Sequence, residues 1–460
     1  MAKEKYTRHE SGLIQRLGLG AAFLLVVSSM VGSGVFKKVA PMSAELGSPA
    51  WVLVAWLVAG LVSWFGAMTN AEIASQIPEP GGQYVYFKRI FGKRLAFFYG
   101  WTAFTVVQTA TAASVAFVFA ESFNAVFPLP IFQGPVDNIS VKILAVSVIW
   151  LLTLINLQGV HYAERLNNVF TSVVILCILV ITGLCFGVGD GNWMHFQQSA
   201  EASGKSVSVS SFFLAMLAAF WAYEGWNNLG FIAGEIRNPH RNVPLALTGG
   251  VAFVMLMYIG INAAYLYVLP VQDFMNINSS SNVVSAVAVI QSFMGSGGTI
   301  LIASAIMVAT FGSTNNSLLT ASRLYFSMAR DGMFFKKVAI CDPKTDVPKY
   351  SLLYQAGWSS LLVFSGSFDQ LTDMLIFAAF IFYGTGAVGL FVLRNRNQNA
   401  QVPFRVPFYP VIPAIFIGFC MVLVVNSLIE RPWECGMGLA LMATGIPFYM
   451  YWNKPETGQN

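Results

Sequence analysis

The sequence predicts an all-α integral membrane protein of twelve spanning helices, built as two inverted five-helix repeats followed by two extra C-terminal helices. Three observations carry that prediction. They are a composition too apolar for water, twelve apolar runs of membrane-crossing length, and two glycine-broken runs at matching places in the two halves. Of the 460 residues, 56% are hydrophobic and 10% charged, whereas a soluble domain carries about 25% charged residues. Mean hydropathy is +0.63. One soluble core cannot hide that much apolar surface, so a bilayer is the expected solvent. Each span then needs about 20 apolar residues to cross about 30 Å of hydrocarbon.

In chain order the runs lie at 17–40, 50–75, 95–121, 141–158, 166–189, 211–235, 246–270, 298–322, 351–366, 371–393, 407–430 and 436–452. The first is not expected to be a cleaved leader. It is too long, and Lys37 and Lys38 follow it where small residues would mark a cleavage site. The expected organisation is a tail at 1–16, one repeat over 17–189, its inverted counterpart over 211–394, two helices over 407–452 and a tail at 453–460. With the N-terminus inside, 21 of the 26 Lys and Arg fall on the inner side, and only Lys37, Lys38, Lys142, Lys205 and Arg431 fall outside. That bias orients both termini to the cytoplasm of a cell inner (plasma) membrane, and the net charge of +5 reads as topology rather than nucleic-acid binding.

Five cysteines without a CxxC and four scattered histidines imply neither a disulfide framework nor a metal centre, and no cofactor is expected. No His–Glu pair has zinc-binding spacing, and GVGDG at 187–191 ends a span rather than following a strand, so an enzyme is not expected. The outer stretch SNVVSAVAVIQSFMG is long enough for a short helix over the outer face, either a lid or a plain loop helix.

The first and sixth runs contain SSMVGSGVF (28–36) and FWAYEGWNNLG (220–230). Both put glycines and small polar residues near mid-membrane, about 190 residues apart, and each begins a set of five spans. Such paired interruptions point to a transporter whose discontinuous helices hold substrate where they unwind; close packing through small residues is the competing reading. Unwound backbone in lipid needs partners. The amides at Gly32, Ser33 and Gly34 open a half-helix whose positive end suits a carboxylate. Carbonyls near Ser29 and Met30, with those of Trp221 and Ala222, suit an ammonium. The Trp221 indole can cover the ligand as a gate. Asn227 and Asn228 either face the site or bond neighbouring helices. Spans two, three, eight and ten supply the other walls, with Thr105, Gln108 and Asn316 as candidates. An anion cradle beside a cation cradle fits an α-amino acid.

GSGVF (32–36), IPEPGGQYVYFKRIFG (77–92), AYEGWNN (222–228), GEIRNPHRNVP (234–244) and FGSTNNSLLTASRLYFSMARDGMF (311–334) resemble the amino acid–polyamine–organocation (APC) superfamily, nearest its L-type amino acid transporter (LAT) branch. The resemblance covers nearly all of residues 13–395. It implies the LeuT-like APC fold, alternating access and, in many members, exchange of one amino acid for another. By resemblance Gly32, Ser33 and Gly34 take the substrate carboxylate. Met30, Trp221 and Glu224 lend backbone groups to the amino end, Trp221 is the gating aromatic, and Asn315 lies near the site. Two departures stand out. Val174 occupies the place of a lysine that sodium-independent relatives carry in the fifth span, which leaves exchange, sodium coupling and proton coupling open. The loop at 122–140 lacks the cysteine by which animal members bond a single-span glycoprotein, so no disulfide-linked heavy chain is expected, and the partners are the substrate and the bilayer.

An unpaired charge at the bilayer centre costs about 2.5–3.5 kcal/mol, so Glu224 is expected to have work to do. Three readings stay open: a partner for cationic substrate side chains, a carrier of a coupled proton because desolvation favours a neutral carboxyl, or a structural acid bonded to other spans. Glu235 is expected to cap or to pair with Arg237 or Arg241 in an inner network with Arg323 and Arg330, either a gate or a topological anchor. A channel, or an amino acid-sensing receptor without transport, is the alternative class.

Overall fold

A computed structural model describes residues 15, 17–130, 138–197, 207–279, 284–342, 345, 347–366, 368–396 and 402–453, with backbone alone at 160–167. The expected tails lie almost wholly outside these. Among the described residues the regular structure is helical. In order the α-helices are α1 Leu19–Met30, α2 Gly34–Lys37, α3 Val39–Leu46, α4 Pro49–Gln76, α5 Gln83–Phe91, α6 Lys93–Thr102, α7 Gln108–Val126, α8 Ile139–Leu157, α9 Val160–Gly187 and α10 Val209–Tyr223. The chain continues through α11 Pro239–Val268, α12 Val271–Ser279, α13 Ser285–Arg330, α14 Lys349–Ser365, α15 Phe368–Arg396, α16 Val411–Glu430, α17 Pro432–Ala443 and α18 Gly445–Trp452.

Among the described residues, eight helical segments are long and apolar enough to cross a membrane. One of them is 93–126, where a π-helical turn at Ala103–Val107 joins α6 to α7. The other four apolar runs are short or divided. The first splits into α1, α2 and α3, and the sixth leaves α10 for a 3-10 stretch at Trp226–Glu235. The ninth forms the 17-residue α14, about 26 Å long. The twelfth bends at Thr444, whose hydroxyl accepts the Trp101 indole N–H at 3.0 Å. The eighth run grows into the 46-residue α13, kinked at Gly295 (φ 61°, ψ −147°), a conformation open to glycine. Its part before the kink is the short helix expected within 281–295, and Ser285 there donates to the Lys37 carbonyl at 3.0 Å.

Charged side chains seal the two ends. α15 spans 29 residues, about 43 Å, with Asp369 in its first turn and Arg394 in its last. Lys38 pairs with Asp369 at 2.7 Å, and Lys37 nearby pairs with Glu121 at 2.8 Å. At the other end Arg394 grips the fully buried Glu72 with two bonds of 2.7 and 2.6 Å, and Glu72 also accepts the Val406 amide. Also there, Lys88 meets Asp331 at 2.6 Å. The inner network takes a different form from the one expected: Glu235 pairs with Arg323 at 3.2 Å, and its carbonyl accepts the Leu17 amide. Tertiary placement decides this, because α13 brings Arg323 to Glu235 from 88 positions away.

Candidate functional site

Both breaks are visible in the backbone. After α1, Val31 is extended (φ −77°, ψ 90°) and the Gly32 amide turns back to the Met30 carbonyl at 2.9 Å. Helical bonding resumes at Gly34 and runs on, with Lys38 N–H donating to Gly34 O and Met42 N–H to Lys38 O. After α10, Glu224 is extended (φ −64°, ψ 148°) and Gly225 takes φ 102°, a region that L side chains avoid. Ten residues of 3-10 helix follow, far beyond the usual three or four.

The two breaks touch. A Cβ on Gly34 would stand 2.5 Å from the Ala222 Cα, and one on Gly225 would stand 2.5 Å from the Ser29 carbonyl oxygen. Side chains stitch the crossing. The Tyr258 hydroxyl lies 2.9 Å from the Met30 carbonyl oxygen and 3.0 Å from that of Ala222. The Trp221 indole N–H donates to Ser33 Oγ at 3.3 Å, and the Glu224 amide donates to the Trp221 carbonyl. Asn316 donates to Ser29 Oγ at 2.7 Å.

Glu224 is buried and accepts the Tyr383 hydroxyl at 2.6 Å. That hydroxyl also lies 3.3 Å from Asn227 Oδ1, while Asn227 Nδ2 donates to Gln83 at 2.9 Å. Gln108 donates to Asn228 at 3.1 Å, while its own Oε1, like Asn316 Oδ1, has no hydrogen-bond partner among the described residues. Beside this network lies a cavity lined by Tyr99, Thr102, Gln108, Asn227, Phe382 and Tyr383, with room for about one water molecule.

The structure thus gathers Met30, Gly32, Ser33, Gly34, Trp221, Ala222, Glu224 and Asn227 around one crossing. Asn315 Oδ1 accepts from Asn156 on α8 at 2.8 Å, and the neighbouring Asn316 reaches the first break. Val174 is buried in α9. Sequence reasoning missed Tyr258, Tyr383 and Gln83. A tyrosine in an apolar span gives no signal of its own, although Tyr383 sits next to a glycine in FYGTG.

Residues 17–433 match the sequence profile of the amino acid permease family. The chain belongs to that family. It is 29% identical over 445 residues to the serine/threonine exchanger SteT of Bacillus subtilis (strain 168), covering 96% of this chain and 97% of that one. Over 449 residues it is 30% identical to the mouse b(0,+)-type amino acid transporter 1, covering 95% and 88% of the two chains. Over 452 residues it is 30% identical to the human large neutral amino acids transporter small subunit 2, covering 96% and 82%. These relatives are transporters rather than enzymes. The family and the long apolar helices together make the chain a multi-pass membrane protein.

The crossing offers two kinds of group to a small zwitterion. Helix-opening amides at Ser33 and Gly34 suit an anion, while that of Gly32 is held by the Met30 carbonyl. The Ala222 carbonyl keeps a second lone pair for a cation beyond the one facing Tyr258, whereas the Met30 carbonyl already faces both Tyr258 and the Gly32 amide.

Proposed function

We propose that the chain is a secondary active transporter that exchanges L-amino acids by alternating access. The substrate lies across the two breaks, its carboxylate on the amides of Ser33 and Gly34, joined by that of Gly32 once it leaves the Met30 carbonyl, and its ammonium on the carbonyls of Met30, Trp221 and Ala222. Trp221 closes one side. The observation that carries this reading is the contact of the two unwound segments, Gly34 against Ala222 and Gly225 against Ser29. In this reading the chain has twelve spans in a LeuT-like arrangement of two inverted five-helix repeats, 17–189 and 211–394, with helices added over 407–452. Both termini face the cytoplasm of the plasma membrane, and no heavy chain is required. Neutral amino acids are the main substrates, and Glu224, freed from Tyr383, accommodates a cationic side chain.

A coupled symporter is the second reading, favoured by Val174 where sodium-independent relatives carry a lysine. One experiment separates the two. The purified chain is placed in liposomes preloaded with amino acid, and uptake of a labelled panel is followed with and without sodium and a pH gradient. Uptake driven by the preloaded amino acid supports exchange; accumulation that needs an ion gradient supports symport. No uptake in any format refutes both.

A further inference from the structure

Trp221 does not close the crossing alone. Its indole meets the Phe368 ring edge-on, with centroids 5.8 Å apart and planes at 86°. Phe368 opens α15 and is 4% exposed. Two ammonium groups stand over its ring, Lys37 Nζ at 4.4 Å and Lys38 Nζ at 4.6 Å from the centroid. Lys38 is itself buried, bonded to Asp369 at 2.7 Å and to Thr372 at 3.1 Å, while Lys37 is held by Glu121. A desolvated ammonium on an aromatic face is among the stronger contacts of its kind. Lys38 also lies one helical turn beyond Gly34, and its amide bonds the Gly34 carbonyl. Any shift of the half-helix that opens at the substrate amides therefore moves the ammonium on Phe368 with it.

We propose that Phe368, clamped by Lys38 and Asp369, is the positioning residue that holds the Trp221 lid shut on the Lys37–Lys38 face. Opening that face swings the first turn of α15 away, and the ion pair, the cation–ring contacts and the Trp221–Phe368 contact break together. The proposal rests on the transport reading above, in which this face is the outer one. Because the clamp stabilises states closed to the outside, weakening it raises the outward-open fraction, and apparent affinity follows the competent fraction.

The test uses right-side-out and everted membrane vesicles carrying the full chain, with labelled L-serine, L-leucine and L-arginine as probes. Asp369→Asn unpairs the buried Lys38, which is expected to lower stability as a stranded buried charge does, so uptake is normalised to folded protein; Phe368→Leu removes the ring. Both variants are expected to lower the half-saturation concentration at the outer face by on the order of tenfold. At the inner face it stays unchanged or rises, and Phe368→Tyr behaves as the unaltered chain. A purely structural role moves both faces in the same direction; that result, or no change at either face, overturns the proposal. Failure of the unaltered chain to take up any probe refutes the transport reading itself, and the clamp falls with it.

Discussion

Gly32 and Gly34 look equivalent in the sequence, and the structure makes them unequal. In Gly34→Ala the new methyl stands 2.5 Å from Ala222 Cα, 2.6 Å from its Cβ and 3.0 Å from its amide nitrogen. Ordinary carbon contacts need about 3.5–4.0 Å, and two of the three atoms are backbone that cannot rotate aside. The two breaks must separate by about 1 Å, at a cost of about 1–3 kcal/mol for overpacking. In Gly32→Ala the nearest atom is Ser313 Oγ at 3.1 Å, the tip of a side chain with other staggered positions, so the cost is about 1 kcal/mol or less. A site that aligns small dipoles on a small ligand loses on the order of 100-fold in rate for a misplacement of about 1 Å. Counterflow in liposomes, normalised to folded protein counted by size-exclusion chromatography, is expected to fall that far for Gly34→Ala. Gly32→Ala is expected to retain most of its activity. Equal loss in the two variants, or a Gly34→Ala protein with more than half the normal rate, would refute the packed crossing as the transport site.

Glu224→Gln keeps an acceptor for the Tyr383 hydroxyl but removes the charge. Stability should change by only about 1 kcal/mol, and arginine uptake should fall at least about tenfold further than leucine uptake, since a desolvated charge pair is lost; equal loss for both substrates would reject the pairing role. Tyr258→Phe removes the hydroxyl between the Met30 and Ala222 carbonyls. It should cost about 1 kcal/mol in thermal stability and raise half-saturation for all α-amino acids alike, and a side-chain-dependent effect would count against it. Glu72→Gln strands Arg394 and should lower detergent stability by about 3 kcal/mol, the low end for a broken buried pair. Arg89→Gln, in a pair whose side chains are 61% and 39% exposed, should fall within about 1 kcal/mol of no change. A comparable melting shift for the two would contradict that ranking.

The membrane setting and both breaks were legible in the sequence because they rest on local properties. Apolar run length is a count along the chain. The dihedrals at Gly225 and the close approach at Gly34 need residues without a side chain, which the sequence names directly. Chemistry that depends on partners was not legible. Nothing in the sequence signalled that α15 brings Tyr383 to Glu224 from 159 positions away. Asn315 and Asn316 are neighbours on α13, and only the structure shows that Asn156 of α8 bonds the first while the second reaches Ser29 of α1.

By itself the sequence determined that the chain lives in lipid, which runs are apolar enough to enter it, and where its helices give way, because hydrophobic length and glycine freedom belong to single residues and their neighbours. Only the tertiary structure decided that the two gaps meet, that Tyr258 and Tyr383 hold them, and that Lys38 is matched by Asp369 from 331 positions away. Those are pairings, and a pairing exists only once packing has chosen which helix faces which.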